Sequence, residues 1–172
     1  TGKNYGKIAE LLALAHNAGL EDEATTLRNW LKAELEDWFT ATTNDVFDEQ
    51  KYFAYDSQWS TLLGFDEAFA SHQQLNDHHF HYGYFVRAAA EICRVEADCW
   101  APDQWGPMVD LLIRDYAGDR DDPLFPYLRH FDPANGFSWA SGQVNFIRGN
   151  NNESTSEAAN AYGAMVLYGL AT

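Results

Sequence analysis

Within Glu21–Phe39 the residues Leu27, Trp30, Leu31, Leu35, Trp38 and Phe39 recur at the three- and four-residue spacing of an α-helix. Glu21, Asp22 and Glu23 fill the first turn, where the helix dipole favours negative charge. A helix with one wide apolar stripe must bury that stripe against another layer. The stretch Tyr5–Ala18 repeats the pattern with Ile8, Leu11, Leu12 and Ala15, and Gly19 supplies its stop. With so short a turn between them, the two form an antiparallel helical pair.

The same signal returns along the chain. A long helix is expected over His78–Ala97, with Phe85, Val86, Ala89, Ala90 and Ile92 as its apolar body. Another is expected over Pro102–Tyr116, with Met108, Leu111, Leu112 and Ile113 facing inward, and a last one over Thr155–Leu170. Between them, Val46–Tyr55 alternates loosely and reads as a short hairpin or an extended loop. Ser57–Gln74 reads as a loop with one helical turn, and Asp132-Pro133-Ala134-Asn135-Gly136 as a tight turn. The expected fold is therefore mainly α. Helix follows helix, and the long loops between them, rich in aromatic, His and acidic residues, suit a helical toroid with its cleft at one end.

Composition narrows the partners. The chain of 172 residues carries 26 acidic against 11 basic residues, a net charge of −15. That disfavours nucleic acid and anionic membrane surfaces, both of which call for clustered Lys and Arg. No apolar run approaches the about 20 residues needed to cross a bilayer. Aromatic residues make up 15%, many of them core. Flat rings with polar edges also suit a cleft for a neutral sugar, whose C–H faces lie on them. Cys93 and Cys99 are too few for a disulfide scaffold or a four-cysteine zinc site. Two thiols or one bridge remain open.

Two segments concentrate groups capable of chemistry. One is Asn76-Asp77-His78-His79-Phe80-His81-Tyr82-Gly83-Tyr84, the other Asn150-Asn151-Asn152-Glu153-Ser154-Thr155-Ser156-Glu157. Each stands at the start of an expected helix, where unpaired N–H groups and the positive dipole end fix a carboxylate in place. Structural readings compete with functional ones. Asp77 suits an N-cap, and Ser154 with Glu157 suits a capping box. Glu153 precedes the cap and is harder to explain that way. If the helix starts one turn early, Glu153 and Glu157 are neighbours, and two such carboxylates push one pKa upward. The histidines lack a His-Glu-x-x-His pair and a firm third ligand, so no metal is expected at His78, His79 or His81. Hydrogen-bonded cleft histidines that hold sugar hydroxyls or orient Asp77 are expected instead. No phosphate loop and no Gly-x-Ser-x-Gly elbow is present, which favours carboxylate chemistry.

At these two segments the chain resembles glycoside hydrolase family 81, the endo-1,3-β-glucanases. Asn76 to Tyr84 resembles the family's most recognisable motif almost letter for letter, and Glu153-Ser154-Thr155-Ser156-Glu157-Ala158 with Asn160-Ala161 resembles its second. Phe131-Asp132, Ser138-Trp139-Ala140-Ser141-Gly142 and Tyr55-Asp56 with Trp59 also match, in order, from about Tyr55 to Met165. The resemblance implies part of a catalytic (α/α)6 toroid over residues 1–172, incomplete and without the family's N-terminal β-sandwich. It implies a secreted enzyme without cofactor that hydrolyses internal bonds of laminarin-type β-1,3-glucan with inversion. By the same resemblance Asp77 is the general acid, Glu153 the general base and Glu157 its assistant. Tyr55, Asp56, Trp59, His81, Tyr82, Trp139 and Asn152 would bind substrate. Inversion needs the two carboxyl groups about 6.5–9.5 Å apart, leaving room for a water, and an acid whose pKa is raised by burial or acidic neighbours. Where the family pattern leads one to expect Gln before the glutamate, this chain has Asn152, which keeps the amide and shortens its reach.

Thr1-Gly2-Lys3-Asn4 opens without a signal peptide, and Leu167 to Thr172 closes within an apolar helix. The expectation is a piece of a longer polypeptide whose remaining helices and sandwich are its first partners, with Val166, Leu167 and Leu170 left exposed. The alternative reading is a glucan-binding or structural fragment without turnover.

Overall fold

The computed structural model describes residues 2–65, 68–96, 104–141, 147, 149–152 and 154–172. The structure is mainly helical, with short two-stranded hairpins between helices. Helices α1 (Gly2–Asn17) and α2 (Glu21–Phe39) are joined by a short turn in which Gly19 takes φ +71°, as expected of a helical pair. Helix α4 (His78–Val95) lies at the centre and packs against α1, α2, α5 (Gly106–Ala117) and α6 (Thr155–Ala171). The core follows from this arrangement: Tyr5, Leu12, Leu31, Leu35, Tyr82, Val86, Ile92, Leu112 and Tyr116 are buried in one cluster. Trp38, Phe53 and Phe85 interlock within it, with ring centroids 5.2–5.5 Å apart, a spacing suited to tilted and edge-on aromatic pairs.

The tightest contact joins α4 to α6. A Cβ placed on Gly83 would lie 2.5 Å from the Cβ and 2.6 Å from the Cα of Ala161, so only glycine permits this approach. Small residues at Gly83, Ala161 and Ala164 bring the two backbones together. Because α4 and α6 both begin at the same end, their first turns meet.

The loops depart from the sequence reading. Val46–Tyr55 is neither one hairpin nor a loop. It contributes β2 (Val46–Phe47), paired with β1 (Thr42–Thr43), and most of β3 (Tyr52–Asp56). Strand β4 (Thr61–Phe65) pairs antiparallel with β3 inside the stretch expected to be loop. The Asp56 carboxylate makes the turn by accepting the Gln58 N–H at 2.8 Å and the Trp59 N–H at 3.1 Å, an Asx-type closure. In place of the one expected helical turn, the stretch holds a 3-10 turn (Ala68–Ala70) followed by α3 (Ser71–Gln74). A third hairpin joins β5 (Phe131–Asp132) to β6 (Phe137–Ser138) across the expected Asp132–Gly136 turn. Helix α4 ends at Val95, α5 begins at Gly106, and Pro102 and Cys99 lie outside the described residues. Cys93 is buried in the core. No helix among the described residues is long and apolar enough to cross a membrane.

Candidate active site

The N-terminal turns of α4 and α6 are where the two candidate segments meet. A pocket of about 320 Å³ opens there, lined by Lys3, Phe69, Asp77, Phe80, His81, Tyr84, Ser154 and Glu157 among others. Asp77, His81 and Tyr84 stand four and then three residues apart, one stripe along the same helix face. The structure thus unites Asp77, His81 and Glu157, three of the residues expected at the site. Glu153, which precedes Ser154 in the sequence, lies outside the described residues.

The capping readings of Asp77 and Ser154 do not hold. Each occupies the cap position, yet each is left-handed, with φ 59°, and neither makes a side-chain cap hydrogen bond. A non-glycine residue in that region is strained, and such strain gathers at functional sites. Asp77 is fixed through its backbone, its N–H donating to Ala140 O at 2.9 Å and its carbonyl accepting the His81 N–H at 2.9 Å. The carboxylate accepts the Asn76 side-chain amide at 2.8 Å. Asp77 lines the pocket and makes no side-chain hydrogen bond to the helix end.

Glu157 closes no capping box either. Its carboxylate accepts the Tyr84 hydroxyl at 2.6 Å and faces the Lys3 ammonium at 3.3 Å. Burial pushes the Glu157 carboxyl up, but hydrogen bonds from Tyr84, Ser154 and Lys3 together outweigh burial and hold it below the usual carboxylate range. It is ionised at neutral pH and can take or steer a proton but not supply one. His81 is pushed down to about 4, first by burial and then by the His78 charge. It stays neutral above that pH, and its Nε2 is buried without a protein partner.

Other expected site residues fall elsewhere. Tyr82 is a correction: it is 0% exposed, and its hydroxyl donates to Leu62 O at 2.7 Å, so it is core and not a sugar-binding residue. His78 and His79 are also fully buried, not cleft histidines. The i+1 and i+2 positions after Asp77 turn away from the face that carries His81, toward the interior. His78 Nδ1 lies 2.7 Å from Asp115 Oδ2, and Asp115 also accepts Thr61 Oγ1 at 3.0 Å, the Leu62 N–H at 2.8 Å and Arg129 Nη2 at 3.3 Å. This buried network fixes the first turn of α4, and with it Asp77, to α5 and β4. Tyr55, Asp56 and Trp59 sit on the β3–β4 hairpin, away from the pocket lining. Tyr55 donates to Leu124 O at 2.6 Å, the Asp56 carboxylate is used in its turn, and Trp59 is 67% exposed. Trp139 is half-buried beside His130, with centroids 6.3 Å apart, and Asn152 is exposed. Neither lines the pocket.

Sequence reasoning missed Tyr84, Phe69, Lys3 and Asp115. The Asp77–His81–Tyr84 spacing was a readable signal for the first. The other three reach their places only through packing of distant segments. Among the described residues no three His, Cys, Asp or Glu side chains converge as metal ligands.

Comparison with known proteins bears on this pocket. The description "Glycosyl hydrolase family 81 C-terminal domain" matches residues 1–172. A glucan endo-1,3-beta-D-glucosidase of Acetivibrio thermocellus is 48% identical over 172 residues, 99% of this chain and 22% of that protein. One from Thermobifida fusca is 45% identical over 98% of this chain and 22% of its own length. The solved structure of a glycoside hydrolase family 81 protein from Clostridium thermocellum superposes with a TM-score of 0.92 at 46% identity, covering 99% of this chain and 24% of that one. This chain thus spans about a quarter or less of the relatives it matches, and within that span it belongs to glycoside hydrolase family 81.

Proposed function

We propose that this chain carries the catalytic carboxylates of an endo-1,3-β-glucanase that cleaves internal bonds of laminarin-type glucans with inversion. The carrying observation is the pocket in which Asp77, His81 and Glu157 meet at the starts of two adjacent helices. Asp77 protonates the departing glycosidic oxygen. Glu153 removes a proton from the attacking water, and Glu157, ionised, assists it by holding that water. Neutral His81 offers its unpaired nitrogen to a sugar hydroxyl, and the ring of Phe69 gives the pocket an apolar wall for a pyranose face.

The named relatives are glucan endo-1,3-beta-D-glucosidases of bacteria, yeasts and a plant, one of them a primary septum enzyme. A β-1,3-glucan of a cell wall and an extracellular site of action follow for this protein on the same reading. Leu11 and Leu14 of α1, and Val166 and Leu170 of α6, are exposed. These apolar faces suit further helices of the same polypeptide completing a toroid.

The test is Glu153→Gln in the full-length enzyme, assayed on laminarin. General acid–base assistance contributes about 10²–10⁴-fold, so kcat should fall by that factor while glucan binding and KM barely change. Retention of more than about a tenth of the rate, a difference of less than about 1.4 kcal/mol, would remove Glu153 from the base role. Glucan binding with no turnover in the parent enzyme would favour a binding module. NMR of the first product should show the α anomer, and a β anomer would refute inversion.

A further inference from the structure

The pocket contains one contact that the division of labour among the carboxylates leaves unexplained. Tyr84, two turns into α4, donates its hydroxyl to Glu157 Oε1 on α6 at 2.6 Å, across the seam set by Gly83 and Ala161. Lys3, from the first turn of α1, approaches the same oxygen at 3.3 Å. Two helices, α4 and α1, therefore converge on a single carboxylate oxygen carried by a third, at the pocket wall.

We propose that Tyr84 is a positioning residue for the glucanase reaction: its hydroxyl pins Glu157 in one orientation at the pocket and keeps it ionised while substrate is bound. The proposal rests on the catalytic reading above and adds a residue to it. The geometry supports it in three ways. A phenol donating at 2.6 Å to a carboxylate makes a short charge-assisted hydrogen bond, which fixes both groups. The donor cannot drift, because the Tyr84 ring packs against Gly6 on α1, where any Cβ would collide with it. The phenol also remains a donor throughout, since burial and the Glu157 charge both raise its pKa above the ordinary tyrosine value. Lys3, more than half exposed, adds charge but little constraint in water. A glutamate held in this way leaves its second oxygen to orient the attacking water, and closing substrate over the pocket does not protonate it.

Tyr84→Phe keeps the ring and removes only the hydroxyl. In the full-length enzyme its effect is read by the pH profile of kcat/KM on laminarin oligosaccharides, by NMR titration of carboxyl-labelled glutamate, and by the melting temperature. The Glu157 titration and the acidic limb of the profile should both move up by about one pH unit, a tenfold change in the protonation equilibrium. The melting temperature should stay near that of the parent. In a Glu157→Gln background, adding Tyr84→Phe should shift nothing further. A Glu157 titration unmoved by Tyr84→Phe overturns the proposal, as does an acidic limb that stays in place while the carboxyl titration shifts. If Glu157→Gln alone keeps the parent rate and profile, the assisting role of Glu157 fails, and the positioning role falls with it. Loss of rate on Glu157→Gln with no effect of Tyr84→Phe would refute the positioning role alone.

Discussion

Asp115→Ala should be among the most damaging substitutions outside the pocket. Asp115 has no exposed side-chain surface and serves as the acceptor for His78 Nδ1 at 2.7 Å, the Leu62 N–H at 2.8 Å, Thr61 Oγ1 at 3.0 Å and Arg129 Nη2 at 3.3 Å. Alanine leaves His78 Nδ1 and the Leu62 N–H in the interior without that acceptor, while Arg129 Nη2 keeps Ser60 O at 2.7 Å and Thr61 Oγ1 keeps Leu62 O at 3.2 Å. Breaking a buried charged pair by deleting one partner costs about 3–5 kcal/mol, a large share of the about 5–15 kcal/mol that holds a typical domain together. For a chain of this size each kcal/mol moves the melting temperature by about 2–4 °C, so a fall of about 6–20 °C is expected. The measurement is thermal unfolding of the protein as it is produced, followed by circular dichroism at pH 7. Burial pushes the Asp115 carboxyl up, but the His78 and Arg129 charges and the Leu62 N–H outweigh it and lower its pKa below 3.8. A depressed folded pKa contributes stability that is present above about pH 3.8 and lost as pH falls below it. The parent should therefore carry an acid-destabilisation component in that window that the variant lacks. A melting temperature within about 3 °C of the parent at pH 7 would refute the claim that this network holds the start of α4.

Three further outcomes are expected. Gly83→Ala forces a Cβ to within 2.5 Å of the Ala161 Cβ, and overpacking of about 1–3 kcal/mol should exceed the about 1 kcal/mol that alanine gains in helix propensity. A variant melting at or above the parent temperature would contradict the close α4–α6 approach. Glu157→Gln should lower kcat less than Glu153→Gln on laminarin; a loss of kcat as large as that of Glu153→Gln would contradict a merely assisting role for Glu157. His79 and His130, each pushed down to about 3 mainly by burial, bind protons in the unfolded chain before they do so in the folded one. Stability should thus decline as pH falls from about 6.5 towards 3, a slope that His79→Gln should flatten in melting measurements across that range.

Periodicity located the helices because it records which face each helix must bury. Residues Glu21–Phe39 needed no tertiary information, and the starts at His78 and Thr155 were set by the step from polar motif to apolar run. The two motifs carried the family resemblance for a related reason: their polar residues cluster where a helix begins. Strand β4 was not legible, since Thr61 and Leu62 are held by Asp115, more than fifty residues later. Nor was the core placement of Tyr82, which shares its motif with His81 but faces Leu62 across the molecule. Asp77 read both as a cap and as a site residue. Local sequence cannot separate those roles, because both call for a short polar side chain at the same position. Only the meeting of α4 and α6 at Gly83 and Ala161 brings Asp77, His81, Tyr84 and Glu157 into the walls of one pocket. Helical spacing is a property of neighbours in the chain, whereas a site belongs to groups brought together by packing across it.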